Sequence, residues 1–162
     1  MAFGANSKMF SAFIRDAMND LADFDMLNDA LEVALFNNTG TPDQTVTSAL
    51  SAYASGQWVV GNGVTDTGSS APAGWPALGR PLATVTSAFA SNVWTLGAAN
   101  TVSANAVTTL ASVYGCLLYD HTAGQVATDQ GIAFFSFGGA QSVTLGTFSI
   151  LWNGSGLMQL TL

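Results

Sequence analysis

The stretch Ser142-Val-Thr-Leu-Gly-Thr-Phe-Ser-Ile-Leu-Trp152 decides the fold. Val143 and Leu145 share one parity, whereas Phe148, Ile150 and Trp152 share the other. Side chains alternate between the two faces of a strand, so this switch needs one extra residue and predicts a β-bulge and a bend near Gly146. Working outward, further short apolar runs lie at Leu82–Ala88, Asn92–Leu96, Val107–Thr109, Val113–Asp120, Gly131–Phe137 and Leu157–Leu162, with turn residues such as Asn153-Gly-Ser-Gly156 between them. Leu31, Val33 and Leu35 alternate with Glu32 and Ala34 as in a half-buried strand, and Asn62-Gly63 between Val60 and Val64 suits a tight hairpin. Strands at this spacing predict an antiparallel β-sandwich.

The N-terminal region has a different period. Met9, Phe10, Phe13, Ile14, Ala17, Met18, Leu21 and Phe24 recur on one helical face, with Lys8, Ser11, Arg15, Asp16, Asn19 and Asp20 opposite. The pattern predicts an amphipathic helix capped by Asn6 or Ser7, forming an arm over residues 1–26 ahead of a sandwich domain over 27–162. A second, short helix is expected from Asp43 through Val46, Leu50 and Tyr53, closed by Gly56. Three of the four prolines fall in Thr67–Pro81, which has no period and predicts a long loop within 65–81. Trp75 in that loop either folds back on the domain or fills a pocket on a partner.

Charge is scarce. Only Lys8, Arg15 and Arg80 are basic, charged residues make up 8% of the 162 residues against about 25% in ordinary domains, and mean hydropathy is +0.36. No run approaches the ~18 apolar residues of a spanning helix, and the first residues lack the pattern of a signal peptide, so a soluble, non-secreted protein is expected. A net charge of −7 argues against nucleic acid as a partner, because even ~6 phosphate contacts need more cations than the chain has. A surface so poor in ions predicts extensive burial against other subunits, as in a homo-oligomer or a larger assembly.

Residues for chemistry are equally few. Cys116 is the single cysteine and reads as a small buried hydrophobe, with neither a disulfide nor a Cys-based zinc site available. His121 is the lone imidazole and follows a strand, as a solvated turn residue would. No G-x-S-x-G elbow occurs, no spacing pairs Asp120 with Asp129 or Asp66, and Asp23-Phe-Asp25 lacks the glycine and closing glutamate of a calcium loop. The expectation is a non-enzymatic protein without cofactor or metal.

Three segments, Leu31-Glu-Val-Ala-Leu-Phe-Asn-Asn-Thr-Gly-Thr-Pro-Asp43, Tyr53 through Gly56-Gln-Trp58, and Gly138-Gly-Ala-Gln-Ser-Val-Thr-Leu-Gly-Thr-Phe-Ser-Ile-Leu-Trp152, resemble a family of small tailed-bacteriophage virion proteins. The resemblance implies a capsid decoration, or cement, protein that binds the major capsid protein lattice. It would be made in the bacterial host cytoplasm and sit on the capsid surface. A tail tube, adaptor or fibre subunit is the alternative, as is a carbohydrate-binding sandwich using Trp75, Trp94 or Tyr119. The contact candidates are Phe10, Phe13 and Ile14 on the helix, Trp75 and Arg80 in the long loop, and Leu160 in the last strand.

Overall fold

The computed structural model describes residues 6–21, 23–68, 73–122 and 124–161. In chain order the elements are β1 (Lys8–Met9), α1 (Ser11–Met18), β2 (Leu31–Phe36), α2 (Ser48–Ser51), two 3₁₀ turns (Gly56–Trp58 and Val60–Asn62), β3 (Arg80–Pro81), β4 (Thr86–Ala90), β5 (Val93–Gly97), β6 (Thr101–Val102), β7 (Thr108–Asp120), β8 (Gly131–Gly146), β9 (Ser149–Ile150) and β10 (Met158–Thr161). The strands form a five-stranded sheet in the order β1-β8-β7-β2-β3, a three-stranded sheet β10-β5-β4 and a two-stranded sheet β6-β9, all antiparallel.

Alternation along the central strands builds two cores. Ala34, Phe36, Leu117, Tyr119 and Phe134 face one side, where Phe10, Tyr53 and Trp58 from the helices and first 3₁₀ turn cover them. Leu31, Val33, Leu35, Cys116 and Leu118 face the other side, in one core with Leu96, Ile150 and Met158 of the smaller sheets and with Phe148 and Leu157 just ahead of β9 and β10. The predicted sandwich is therefore present, with a helical layer added on its outer side. Strands buried on both faces explain why the second half of β7, from Val113 to Tyr119, reads as a near-continuous apolar run.

Residues 8–18 of the N-terminal segment pack onto the rest of the chain. β1 pairs with β8, the Phe10 amide donates to the Ile132 carbonyl, and the Ser11 amide donates to the Gln44 carbonyl. Neither Asn6 nor Ser7 caps the helix; Phe10 holds the N-cap position without a side-chain bond. The helix also stops at Met18 rather than Phe24. Asp20 takes a left-handed φ of 53°, and the Leu21 amide reaches back to the Asp16 carbonyl, a Schellman-type ending. Asp16, placed by period on the polar face, is fully buried. Its carboxylate accepts bonds from Ser48 Oγ, Gln130 Nε2 (2.9 Å) and Arg15 Nη2 (2.6 Å), joining α1, α2 and the start of β8.

Asn62-Gly63 makes no hairpin; Asn62 closes the second 3₁₀ turn and Gly63 bridges to Phe36. The two-residue hairpin is Ser91-Asn92 between β4 and β5, where both residues take positive φ (51° and 62°), as a type I′ turn requires. Val107–Thr109 joins Val113–Asp120 in one long strand, and Gly131–Phe137 joins the first part of Ser142–Trp152 in another. The extra residue near Gly146 is there: Thr108 pairs with Gly146 and Leu110 with Val143, so two steps on β7 span three on β8.

The loop ahead of β3 turns inward. Trp75 is fully buried, packs edge-on against Phe148 and donates from Nε1 to the Val33 carbonyl (3.2 Å). Asp66 fastens the loop by accepting backbone N–H bonds from Gly68, Gly74 and Thr109. Trp75→Ala should lower unfolding free energy by about 3–5 kcal/mol in denaturant titrations. Removing residues 1–24 should leave a chain without a cooperative melt, because Phe10, Phe13 and Asp16 go with them.

Candidate functional site

Two regions concentrate the features that could do work. The first gathers titratable groups where β2 begins, β7 ends and β8 begins. His121 Nδ1 lies 2.6 Å from Asp129 Oδ1, with the imidazole partly exposed. Next to it, Tyr119 stacks on Tyr53 with ring centroids 5.0 Å apart and donates its hydroxyl to the Leu78 carbonyl. Tyr119 pairs across the sheet with Glu32, whose Oε2 is buried with no hydrogen-bond partner among the described residues. Burial pushes the Glu32 carboxyl above its ordinary range, partly offset by the charges of His121 and Arg80.

Asp120 points to the opposite face and is fully buried. It accepts from the Thr122 amide (2.8 Å) and Gln125 Nε2 (2.7 Å). Burial raises its carboxyl to about 6, the Thr122 bonds oppose that rise, and the neighbouring Asp29 carboxyl adds to it. Asp25 and Asp29 are engaged in their own turn, through the Leu27 amide and Asn28 Nδ2 on Asp25 and the Asp25 amide on Asp29.

Among the described residues no serine hydroxyl bonds to His121, Tyr119 lies across the sheet from Glu32, and Asp66 serves the loop. Cys116 is fully buried and burial pushes its thiol up, away from the nucleophilic thiolate. Among the described residues no group of three or more His, Cys, Asp or Glu side chains could hold a metal ion. Among the described residues no helix is long and apolar enough to cross a membrane.

The second region is the β4-β5-β10 sheet, a single-layer finger. Its cross-strand rows run outward from Ser87-Leu96-Met158 at the base through Ala88-Thr95-Gln159 to Phe89-Trp94-Leu160 near the tip. Residues two apart share a face, so Leu96 and Met158 (0% and 5% exposed) lie on the same side as Phe89 and Leu160 (62% and 38%). The face that seals the core at its base thus continues outward, still apolar, into solvent. All of β4 is exposed on both sides. Trp94 satisfies its own indole by donating to Ser87 Oγ (2.9 Å). No ionised side chain stands on this sheet, because the sequence has no Asp, Glu, Lys or Arg from 81 to 119 or from 130 to 162.

The structure divides the six contact candidates. Phe10, Phe13 and Trp75 are corrected: all three are buried in the chain's own core, the consequence of an N-terminal segment and loop that pack in cis. Ile14 is half-buried against that core, and Arg80 is half-buried with Nε donating to the Val102 carbonyl (3.2 Å). Leu160 alone is substantially exposed. Of the aromatics considered for sugar stacking, Trp75 and Tyr119 are buried and only Trp94 reaches the surface. Phe89, the most exposed aromatic described, was missed by the sequence reading. Alternation over Val85, Ser87 and Phe89 gives it the core-facing parity, and only the shortness of the domain beneath leaves it outside.

Comparison with protein-family models, with characterised proteins and with solved structures finds no match to this chain.

The carboxyl region supports a pH test. Asp120 and Glu32 have folded-state pKa values above those of the unfolded chain, so their contribution to stability is fully present below the unfolded value and is lost as pH rises through the folded one. For Asp120 that window runs from about 3.8 to about 6. Asp16 behaves oppositely. Burial raises its pKa, but bonds from Ser48, Arg15 and Gln130 and the Arg15 charge outweigh that, so stability is lost only as pH falls below 3.8. The melting temperature should therefore rise as pH falls from 7.5 to 5, and Asp120→Asn should flatten that rise.

Proposed function

We propose that this chain is a non-enzymatic structural protein of a tailed-bacteriophage virion, a capsid decoration protein that binds the major capsid protein lattice and stabilises the head. One observation carries the reading: large apolar side chains stand in solvent on strands and loops devoid of ionised groups. Beyond the finger, Leu145 and Leu151 are 65% and 74% exposed, and Val102 and Val107 are also exposed. A protein that lives alone in water dilutes such patches with charge, whereas a subunit of a shell covers them.

The sequence resemblance supplies the phage context, and the fold adds what a shell subunit uses, namely strand edges and apolar faces open to neighbours. The β4 and β10 edges and the outer edge of β8 beyond Ser136 have no strand partner among the described residues. Such edges add to a neighbour's sheet through main-chain bonds that need no charged side chain. A tail tube, adaptor or fibre subunit would use the same surfaces, and stoichiometry separates the two.

Quantitative mass spectrometry of purified virions should find hundreds of copies per particle, released when the shell dissociates. A few dozen copies or fewer would place the chain in the tail, and its absence from virions would overturn the reading.

A further inference from the structure

We propose that Asn153 is a self-modifying site: its side chain closes on the Gly154 amide, expels ammonia and hydrolyses to aspartate and isoaspartate, while the fold protects the other Asn-Gly pair, Asn62-Gly63. The inference stands apart from the virion reading and holds whatever the chain assembles with.

The reaction needs a free backbone nucleophile, a reachable side-chain carbonyl and an exit for ammonia. The amide nitrogen of the following residue attacks the asparagine Cγ and forms a C–N bond, and its proton passes to water or hydroxide. The bond from Cγ to the side-chain nitrogen breaks, and that nitrogen takes a proton from solvent and leaves as ammonia. Water then opens the five-membered imide at either carbonyl. One cleavage leaves aspartate; the other routes the main chain through the side chain as isoaspartate. No oxidant or cofactor takes part. Glycine favours the attack because it has no Cβ to crowd the nitrogen or restrict its rotation.

Asn153 meets these requirements. Asn153, Gly154 and Ser155 are all exposed, and among the described residues the Gly154 amide donates to no acceptor. The Ser155 amide donates to Asn153 Oδ1 (2.8 Å), an Asx turn whose closed ring of atoms contains both Cγ and the Gly154 nitrogen. The same N–H points at the oxygen on which negative charge develops during attack, which is how an oxyanion-hole donor acts. The turn is held between fixed ends: the Trp152 amide donates to Asn100 Oδ1 (3.1 Å) and the Leu157 amide to the Leu96 carbonyl (2.7 Å).

Asn62-Gly63 has the same sequence in opposite circumstances. Asn62 Nδ2, the leaving group, donates to the Gln57 carbonyl (3.0 Å), and the Gly63 amide is spent on the Val60 carbonyl (3.0 Å). The Asn37 amide on the Asn62 carbonyl and the bridge from Gly63 to Phe36 clamp the peptide between them. Reaction there must first surrender two hydrogen bonds, a barrier worth roughly tenfold or more in rate. The outcome matters because residues 130–162 contain no ionised side chain. Conversion puts a carboxylate in the wall of a cavity of about 520 Å³ that Phe135, Phe137 and Trp152 also line.

The test is peptide mapping by mass spectrometry of the full chain aged at pH 7 and at pH 9. The folded chain should gain one mass unit at Asn153, faster at the higher pH, with a product that isoaspartate methyltransferase labels. Asn62 should convert more slowly by roughly tenfold or more, and should catch up when the chain is aged in denaturant. Gly154→Ala, whose added Cβ meets nothing within 4 Å, should keep the fold and slow conversion to the Asn62 rate or below. Asn153 that stays intact in the folded chain, a rate that does not rise with pH, Asn62 that converts as fast as Asn153 in the folded chain, or Gly154→Ala that converts at the wild-type rate would each overturn the proposal.

Discussion

The structure depends on one buried ion. Asp16 sits in the middle of the short α1 helix with no exposure to water, and the groups that satisfy it come from three separate parts of the chain: Arg15 beside it, Ser48 in α2 and Gln130 at the entry to β8. An isolated carboxylate there would be strongly disfavoured, and removing one partner of such a network typically costs about 3–5 kcal/mol. The arrangement fixes where the helical layer meets the five-stranded sheet. It lets α1 remain in place although it is only eight residues long, too short to be stable by itself. Phe10 and Phe13, on either side of the helix start, then fill the space against Trp58, Phe134 and Phe24.

The strand content was legible because alternation is a local signal. β2, β5 and β10 lie within a residue or two of their expected bounds, and the change of parity around Gly146 marks the bulge without reference to a partner strand. What the sequence concealed was long-range. The helical period placed Asp16 on the wet side, because nothing local announces that Ser48 and Gln130 converge on it. Trp75 reads ambiguously for the same reason: the hydrogen bond that holds it goes to Val33, 42 residues away. Asn62-Gly63 is a strong turn signal in isolation, but the 3₁₀ turn before it already satisfies the Gly63 amide through Val60, and the hairpin geometry falls to Ser91-Asn92 instead.

The proposed interaction surface was half legible. Charge scarcity pointed to a chain that meets other proteins, yet the elements expected to make the contacts, the N-terminal helix and the proline-rich loop, turned out to be walls of the core. Hydrophobic periodicity marks residues that will be buried without distinguishing cis from trans. Phe89 and Leu160 have the same pattern as Leu96 and Met158 because the same rule of alternation governs both; only the extent of the underlying domain separates core from surface.

The absence of ions from the finger has a thermal and solvent consequence. Contacts made from Phe, Trp and Leu alone have no Coulombic part for salt to screen, so ionic strength leaves them untouched until salting-out anions strengthen them. Their driving force near room temperature is the entropy of released water, which fades on cooling. An assembly joined by such faces loosens in the cold and tightens with warmth, opposite to one clasped by hydrogen bonds alone.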